Sequence, residues 1–158
     1  MRRKSKFNQL YEVWKKTKAT YPKNTMDYFI DYLTQTGQLD TIKDNFDGLL
    51  DYYVINKVPF GFLTNYVPDT IAKNFNKVFD YYVRNKFRFN YLAKYIPDTI
   101  AKNFDKVSDY YVSNKFRFNY LARYIPDTIT KNLPKVEAYY ESNGWDIDTV
   151  LNILRSKL

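Results

Sequence analysis

The sequence predicts an all-α protein, an α-solenoid of helical repeats about 29 residues long, each with two helices and a short third segment. Two observations predict this fold. The chain repeats itself at a period of 29 residues, and within each unit apolar side chains recur at helical spacing. A period in this range is typical of stacked arrays, in which each unit buries its apolar face against its neighbours.

Four units align at this period, at residues 45–73, 74–102, 103–131 and 132–158. The second and third units are identical at 24 of 29 positions, which indicates a duplication. The sequence Asp-Thr-Ile at 40–42 falls in register with the same triplet of later units, so a degenerate unit precedes the first clear one. We expect residues 1–44 to form an irregular N-terminal helical cap, and residues 45–158 to form one continuous domain.

The second unit shows the helical pattern most clearly. Phe75, Val78 and Tyr82 lie at i, i+3 and i+7, with charged residues on the other faces, and predict a first helix, helix A. Asn74 suits the N-cap of this helix. Asn85 marks its end, because Asn tolerates the left-handed conformation that often terminates a helix, and the last unit adds Gly144 after the equivalent Asn.

A second, shorter helix follows a brief turn. Its expected N-caps are Gly61, Asn90, Asn119 and Asp148. Leu92, Tyr95 and Ile96 make its buried stripe in the second unit. Pro97 and its equivalents Pro68 and Pro126 end it, because the residue before a proline is pushed out of the helical region. A third short segment, from Asp98 to Lys102 in the second unit, completes the repeat.

The two ends of the chain are predicted as caps. At the N-terminus, Phe7, Leu10, Tyr11 and Trp14 predict one helix, and a second helical pattern runs near Thr25 to Leu33 and closes at Gly37. At the C-terminus, the last unit carries Glu137, Glu141 and Asp146 where its neighbours have apolar, small or basic residues, which is typical of a polar capping repeat.

The order KVxxYYxxN, then a capped short helix, then YIPDTI resembles the repeat of the mitochondrial transcription termination factor (mTERF) family. The resemblance covers about residues 45–155. It implies a curved superhelix whose basic face binds nucleic acid. This chain departs from the family in using Tyr and Phe where the family's repeats use Leu, and in having only four or five units.

The composition excludes several classes of function. The chain has no cysteine and no histidine, which removes disulfides, zinc fingers, thiolate nucleophiles and imidazole catalysis. It has no glycine-rich phosphate loop and no metal-ligand cluster, so we expect no enzyme, no cofactor and no small-molecule substrate. Without a long apolar run or a signal-peptide pattern, we expect an intracellular, cytoplasmic protein that neither crosses a membrane nor is secreted.

Basic residues recur at equivalent positions and suggest a binding surface. The net charge is +8, and the second unit alone has six basic and two acidic side chains. Stacked repeats would arrange the basic residues in rows that can meet the phosphates of nucleic acid. The candidate nucleic-acid-binding residues are Arg84, Lys86, Arg88, Lys94, Lys102, Lys115, Arg117, Arg123 and Lys131. The competing interpretation is that these are solvated faces with no partner.

Three other recurrent features have a structural and a functional interpretation. Phe87 and Phe116 could stack on unpaired bases, but we favour turn residues that plug one repeat into the next, as Trp145 at the same place suggests. The tyrosine pairs at 52–53, 81–82, 110–111 and 139–140 are interpreted as packing. Asp69, Asp98 and Asp127 follow the helix-stopping prolines and suit a helix start better than catalysis.

The sequence thus predicts a non-enzymatic helical-repeat protein whose middle units bind nucleic acid. The alternative is an adaptor or inhibitor that docks on an acidic protein surface, as a virus or phage with an AT-rich genome could encode. A structural component of a larger assembly is the third hypothesis.

Overall fold

The computed structural model describes residues 9, 11–12 and 25–158, and these residues contain helices and turns but no strand. The all-α prediction is therefore confirmed. The chain divides into two compact units, Met1–Asn74 and Phe75–Leu158. The second compact unit starts one residue after the predicted start of the second repeat, at Asn74. It therefore contains the last three repeats almost whole.

The helices follow the predicted three-segment pattern. In the first unit they are α1 (Thr25–Gln35), α2 (Leu39–Asp44), α3 (Phe46–Asn56), α4 (Gly61–Tyr66) and α5 (Pro68–Lys73). In the second unit they are α6 (Phe75–Arg84), α7 (Asn90–Tyr95), α8 (Pro97–Lys102), α9 (Phe104–Ser113), α10 (Asn119–Tyr124), α11 (Pro126–Lys131), α12 (Leu133–Ser142) and α13 (Asp148–Arg155). Helices α6, α9 and α12 are the predicted helices A, and α7, α10 and α13 are the helices B.

Helix α1 confirms the second helical pattern of the N-terminal region. Its buried face consists of Phe29, Ile30 and Leu33, each fully buried, and the chain then turns at Gly37 with φ +73°. The ring of Tyr11, also buried, lies 5.3 Å from that of Phe29. Tyr11 is the described member of the first predicted helix. Its other residues, Phe7, Leu10 and Trp14, lie outside the described residues.

Helix B ends before each proline, as predicted. The third-segment helix begins at the proline itself, one residue earlier than predicted, where its missing N–H removes no helical hydrogen bond. The asparagines between that helix and the next helix A act differently from the prediction. No side chain caps helix α9; instead the Asn103 amide reaches back and donates to the Thr99 carbonyl at 2.8 Å. Asn74 makes the same bond to Thr70. These asparagines therefore cap the preceding helix rather than the following one.

The turn after helix A also corrects a prediction. The left-handed residue is not Asn85 but Lys86, with φ 55°. Asn85 instead donates its amide to the Tyr81 carbonyl at 3.0 Å, which satisfies a carbonyl at the helix end. Lys57, Lys115 and Gly144 hold the equivalent left-handed position in the other repeats, with φ 52°, 56° and 67°.

Helices B begin one residue earlier than predicted, because the residue before each predicted N-cap holds the N-cap position. The N-cap of α7 is Phe89 rather than Asn90, and no side chain of the turn caps it. The cap comes from the next repeat, because the Phe89 N–H donates to the hydroxyl of Tyr111 at 2.7 Å. In the third repeat, Phe118 donates in the same way to Tyr140 at 2.6 Å.

The tyrosine pairs therefore join successive repeats by hydrogen bonds as well as by packing. In the pairs 110–111 and 139–140, the first tyrosine donates to a carbonyl on the other side of the same turn: Tyr110 to Phe87 at 2.7 Å and Tyr139 to Phe116 at 2.8 Å. Each of these two tyrosine pairs thus forms hydrogen bonds with two backbone groups in the turn of the preceding repeat. Helices B also pack on one another in chain order, α7 against α10 and α10 against α13.

The hydroxyl of Tyr111 can be tested by a single substitution. We expect Tyr111→Phe to lower the free energy of unfolding by about 1–3 kcal/mol, because the buried Phe89 N–H would lose its acceptor. Chemical denaturation followed by circular dichroism measures the change. Tyr120→Phe, at a side chain 52% exposed, is the matched control and should change stability by less than about 0.5 kcal/mol. Equal effects of the two substitutions would contradict the assignment.

The joined tyrosines also predict a loss of stability in alkaline solution. Burial raises the pKa of Tyr110 and of Tyr140 to about 12, and it raises the pKa of Tyr111 and Tyr139 as well. A raised pKa favours the neutral hydroxyl in the folded state, so this stabilisation is complete below the ordinary value of 10.0 and is lost as pH rises towards 12.

Ultraviolet absorbance of the phenolate and helical circular dichroism, recorded together against pH, test this expectation. We expect a late-ionising set of tyrosines and loss of helix over the same interval between pH 10 and about 12. Ionisation of every tyrosine near pH 10 with the helices intact would contradict it.

Candidate functional site

The turns between helices A and B in the second and third repeats carry four exposed cations. They are Lys86, Arg88, Lys115 and Arg117, which we call the turn row. Each turn presents a lysine, a half-buried phenylalanine and an arginine in that order. The geometry of the turn row follows from the left-handed lysine, the tyrosine pair and the ring beside each arginine.

Lys86 and Lys115 adopt a left-handed backbone conformation that is unfavourable for any residue with a side chain. A non-glycine residue in the left-handed region costs about 1–2 kcal/mol relative to the right-handed helix, and the last repeat avoids this with Gly144. Lys86 and Lys115 nevertheless keep a side chain there. Their side chains leave the backbone from a tight turn, in which the N–H of each lysine donates to a carbonyl of helix A.

The backbone on both sides of each arginine is also fixed. The carbonyl of Phe87 and the N–H of Phe89, which flank Arg88, are bound by the hydroxyls of Tyr110 and Tyr111. The same two bonds flank Arg117, from Tyr139 and Tyr140. The position of each arginine therefore depends on the repeat that follows it in the chain.

The guanidinium groups rest on aromatic rings of the next turn. The Cζ atom of Arg88 lies 4.9 Å from the centre of the Phe116 ring, and that of Arg117 lies 5.0 Å from the Trp145 ring. Because Phe116 lies between Lys115 and Arg117 in the chain, this contact brings Arg88 beside the cations of the third repeat. A guanidinium over a ring still directs its N–H groups outwards for hydrogen bonding.

These contacts decide between the two interpretations of the turn phenylalanines. Phe87 packs edge-on against Tyr81 and Tyr82 of its own repeat, with ring centres 5.6 and 5.5 Å apart. Phe116 packs in the same way against its own tyrosine pair and carries Arg88 over its ring. The rings thus support the turn and its arginines, which favours packing over base stacking. The ring contacts with tyrosines lie within one repeat, whereas the Arg88 guanidinium on Phe116 comes from the repeat before.

The remaining predicted residues lie on other elements and are all exposed. Arg84 is in the last turn of α6, and Lys102 and Lys131 are in the last turns of α8 and α11. Lys94 and Arg123 lie on α7 and α10, which pack against each other. Lys94 is 5.2 Å from the ring of Tyr95, and Arg123 is 5.8 Å from that of Tyr120.

The turn row ends in the fourth repeat. There Asp146 takes the position of Arg117, and its carboxylate accepts a hydrogen bond from the N–H of Asp148 at 2.8 Å. The polar residues predicted for the C-terminal cap, Glu137, Glu141 and Asp146, are exposed. Within the compact unit Phe75–Leu158, the turns that carry lysine and arginine are therefore confined to the second and third repeats.

The part of the chain that the structure describes holds neither a metal-binding cluster nor a membrane-spanning helix. Its carboxylates do not cluster into a group of three that could hold a metal ion. None of its helices is long and apolar enough to cross a membrane.

Sequence reasoning missed the residues that build the site. Tyr110, Tyr111, Tyr139 and Tyr140 were interpreted as packing, yet their hydroxyls hold the turns that carry the cations. One signal could have revealed this role. Both tyrosines recur even in the divergent fourth repeat, although a phenylalanine would pack as well.

Replacing the left-handed lysines by glycine should stabilise the protein. We expect Lys86→Gly and Lys115→Gly each to raise the free energy of unfolding by about 0.5–1 kcal/mol, because relief of the left-handed strain exceeds the entropy that glycine adds to the unfolded chain. Denaturant unfolding measures the effect. Lys94→Gly, within helix α7, is the control and should destabilise by a similar amount. A loss of stability in the first two variants would contradict the strain argument.

Comparison with known proteins assigns no family and no function to this site. No protein-family model, curated protein or solved structure matches the chain. The candidate site therefore rests on the positions of its own residues.

Proposed function

We propose that this chain is a non-enzymatic helical-repeat protein that binds the phosphate backbone of nucleic acid through the turn row. The observation that carries the proposal is the preorganised backbone of the two turns that hold Lys86, Arg88, Lys115 and Arg117. All four are exposed, and their turns are fixed by hydrogen bonds from the following repeat. Preorganised cations lose little entropy on binding an anion.

We further propose that the repeats stack as an α-solenoid. Supporting this, the bonds from Tyr110 and Tyr111 to the second repeat recur 29 residues later as bonds from Tyr139 and Tyr140 to the third. Identical contacts at each step give successive turns the same relation to one another. Packed helices lie roughly 8–10 Å apart, so cations repeated on such a stack can meet successive parts of one polyanion.

The chemistry of the row suits phosphates rather than bases. Arginine guanidinium groups recognise phosphate oxygens with two N–H donors, and lysine contributes a point charge. The ring of Phe116 is covered by Arg88 and packed against tyrosines, which favours backbone contact over stacking on bases. Binding of this kind releases counterions and is independent of base sequence.

The other basic residues would extend the same surface. Lys94 and Arg123 come from helices B that pack against each other, and Lys102 and Lys131 end the third-segment helices of successive repeats. With Arg84 they add five exposed cations to the four of the turn row. Nine exposed cations repeated along the chain suit a polyanion such as the phosphate backbone.

A protein partner is the second candidate, and one observation favours it. Tyr91 and Tyr120, at equivalent positions of helices B, are 57% and 52% exposed beside the basic residues Lys94 and Arg123. Exposed tyrosine next to arginine is typical of protein interfaces. An adaptor or inhibitor that docks on an acidic protein would use these tyrosines together with the cations.

A salt titration of nucleic-acid binding tests the first proposal. We expect single-stranded and duplex DNA to bind at low salt. The logarithm of the binding constant should fall linearly with the logarithm of salt concentration, and the steepness of this line is the slope. In the double variant Lys86→Gly, Lys115→Gly the slope should fall by about 1.4 for single strands and about 1.8 for duplex DNA, because two phosphate contacts are lost. Fluorescence anisotropy of labelled oligonucleotides measures both.

The matched control removes two cations outside the row. Arg155→Gln with Lys157→Gln lowers the net charge by the same amount at exposed positions near the C-terminus, and should leave the slope close to that of the unmodified chain. Equal slopes for the two double variants would show that net charge alone acts. Absence of binding at low salt would overturn the nucleic-acid proposal and leave the protein partner as the candidate.

A further inference from the structure

The second and third repeats differ at a buried position that changes the space between helices. Of their five differences, one replaces the aromatic side chain of Phe79 by the buried hydroxyl of Ser108. A second replaces Arg84 by Ser113. Both changes remove side-chain volume from the face of helix A that meets the next repeat.

Between the second and third repeats, the Phe79 ring fills this space. Its centre lies 5.6 Å from that of Phe89, 6.0 Å from that of Phe75 and 6.3 Å from that of Tyr110. The ammonium of Lys106 lies over it, 4.6 Å from the ring centre. The ring therefore sits among three aromatic side chains beneath a cation.

Between the third and fourth repeats, the equivalent space is a pocket of about 550 Å³. Its walls include Phe104, Phe118, Tyr139 and Lys135, the counterparts of the four residues that surround Phe79. Ser108 lies in its wall where the phenyl ring would stand, and Ala138 replaces the Asp109 of the preceding repeat and widens it further. The volume falls within the range of small-ligand sites in proteins.

We infer that this pocket is a binding site for an aromatic ring. The chain itself supplies the template, because the same side chains one repeat earlier enclose the ring of Phe79. An incoming ring would bury apolar surface against Phe104, Phe118 and Val136, and would lie within reach of the ammonium of Lys135. The ring can belong to a free small molecule or to a side chain of a partner polypeptide.

This site is separate from the proposed nucleic-acid surface. It lies between helices α9 and α12, and none of the four turn-row residues lines it. Its test therefore does not depend on whether the chain binds nucleic acid.

Indole is the probe for this site, and nuclear magnetic resonance of the amide groups is the measurement. We expect saturable shifts at Ser108, Val136 and Ala138 in the full chain. Ser108→Phe should fill the pocket, abolish these shifts and raise the melting temperature by several degrees. Ser108→Ala keeps the space and should retain binding. Ala138→Trp, which occludes the pocket from its other wall, replaces Ser108→Phe if that variant does not fold.

The reciprocal substitution gives a matched control. Phe79→Ser should open the equivalent space between the second and third repeats, lower the melting temperature and create a second indole site with shifts at Val83 and Val107. Absence of saturable shifts at the pocket in the unmodified chain would overturn the inference. So would unchanged indole binding in both Ser108→Phe and Ala138→Trp.

A second probe distinguishes the two sources of the ring. N-acetyl-tryptophanamide carries the indole on a peptide-like backbone that has to remain outside the pocket. Binding of both probes to the same residues supports an aromatic side chain of a partner. Binding of indole with at least tenfold weaker binding of the amide supports a free aromatic compound.

Discussion

The hydrogen bonds from the tyrosine pairs 110–111 and 139–140 to the turn of the preceding repeat are the interaction on which the compact unit Phe75–Leu158 depends. One hydroxyl accepts the N–H that begins helix B, and the other donates to a carbonyl two residues earlier. A buried polar group without a partner is costly, so neither the turn nor the helix start is satisfied until the next repeat is in place. Local structure and stacking are therefore coupled, which is how a short repeat with six-residue helices can be stable.

The same bonds connect stability to the proposed function. The turn they hold carries a lysine in the left-handed region and an arginine on the ring of the next turn. Gly144 shows that this backbone position works without a side chain, so the strain at Lys86 and Lys115 is not required by the fold. Strain that the fold does not require is a reason to look for a function at the strained residue. Here lysine differs from glycine by a side chain that carries a positive charge.

The sequence predicted the parts of this fold that depend on local chemistry. Apolar spacing placed helix α6, and Pro97 marked the boundary between α7 and α8. It misplaced the left-handed residue, because Asn85 has the higher intrinsic preference but uses its amide to cap the Tyr81 carbonyl. The cap of α7 could not be predicted from the turn at all, since its acceptor is Tyr111 in another repeat. The basic residues were found to be exposed, but the contact of Arg88 with Phe116 depends on how repeats stack.

Duplication explains why the second and third repeats resemble each other, and their differences then show what each interface tolerates. At the interface after the second repeat, Phe79 fills the space between helices A. At the interface after the third, Ser108 leaves that space open while the tyrosine bonds remain, at 2.6 and 2.8 Å. The tyrosine bonds between repeats thus form both with and without an aromatic ring at this position. Because the tyrosine bonds and the packing of helices B are present at both interfaces, the space between helices A is free to change, and with it what the protein can bind there.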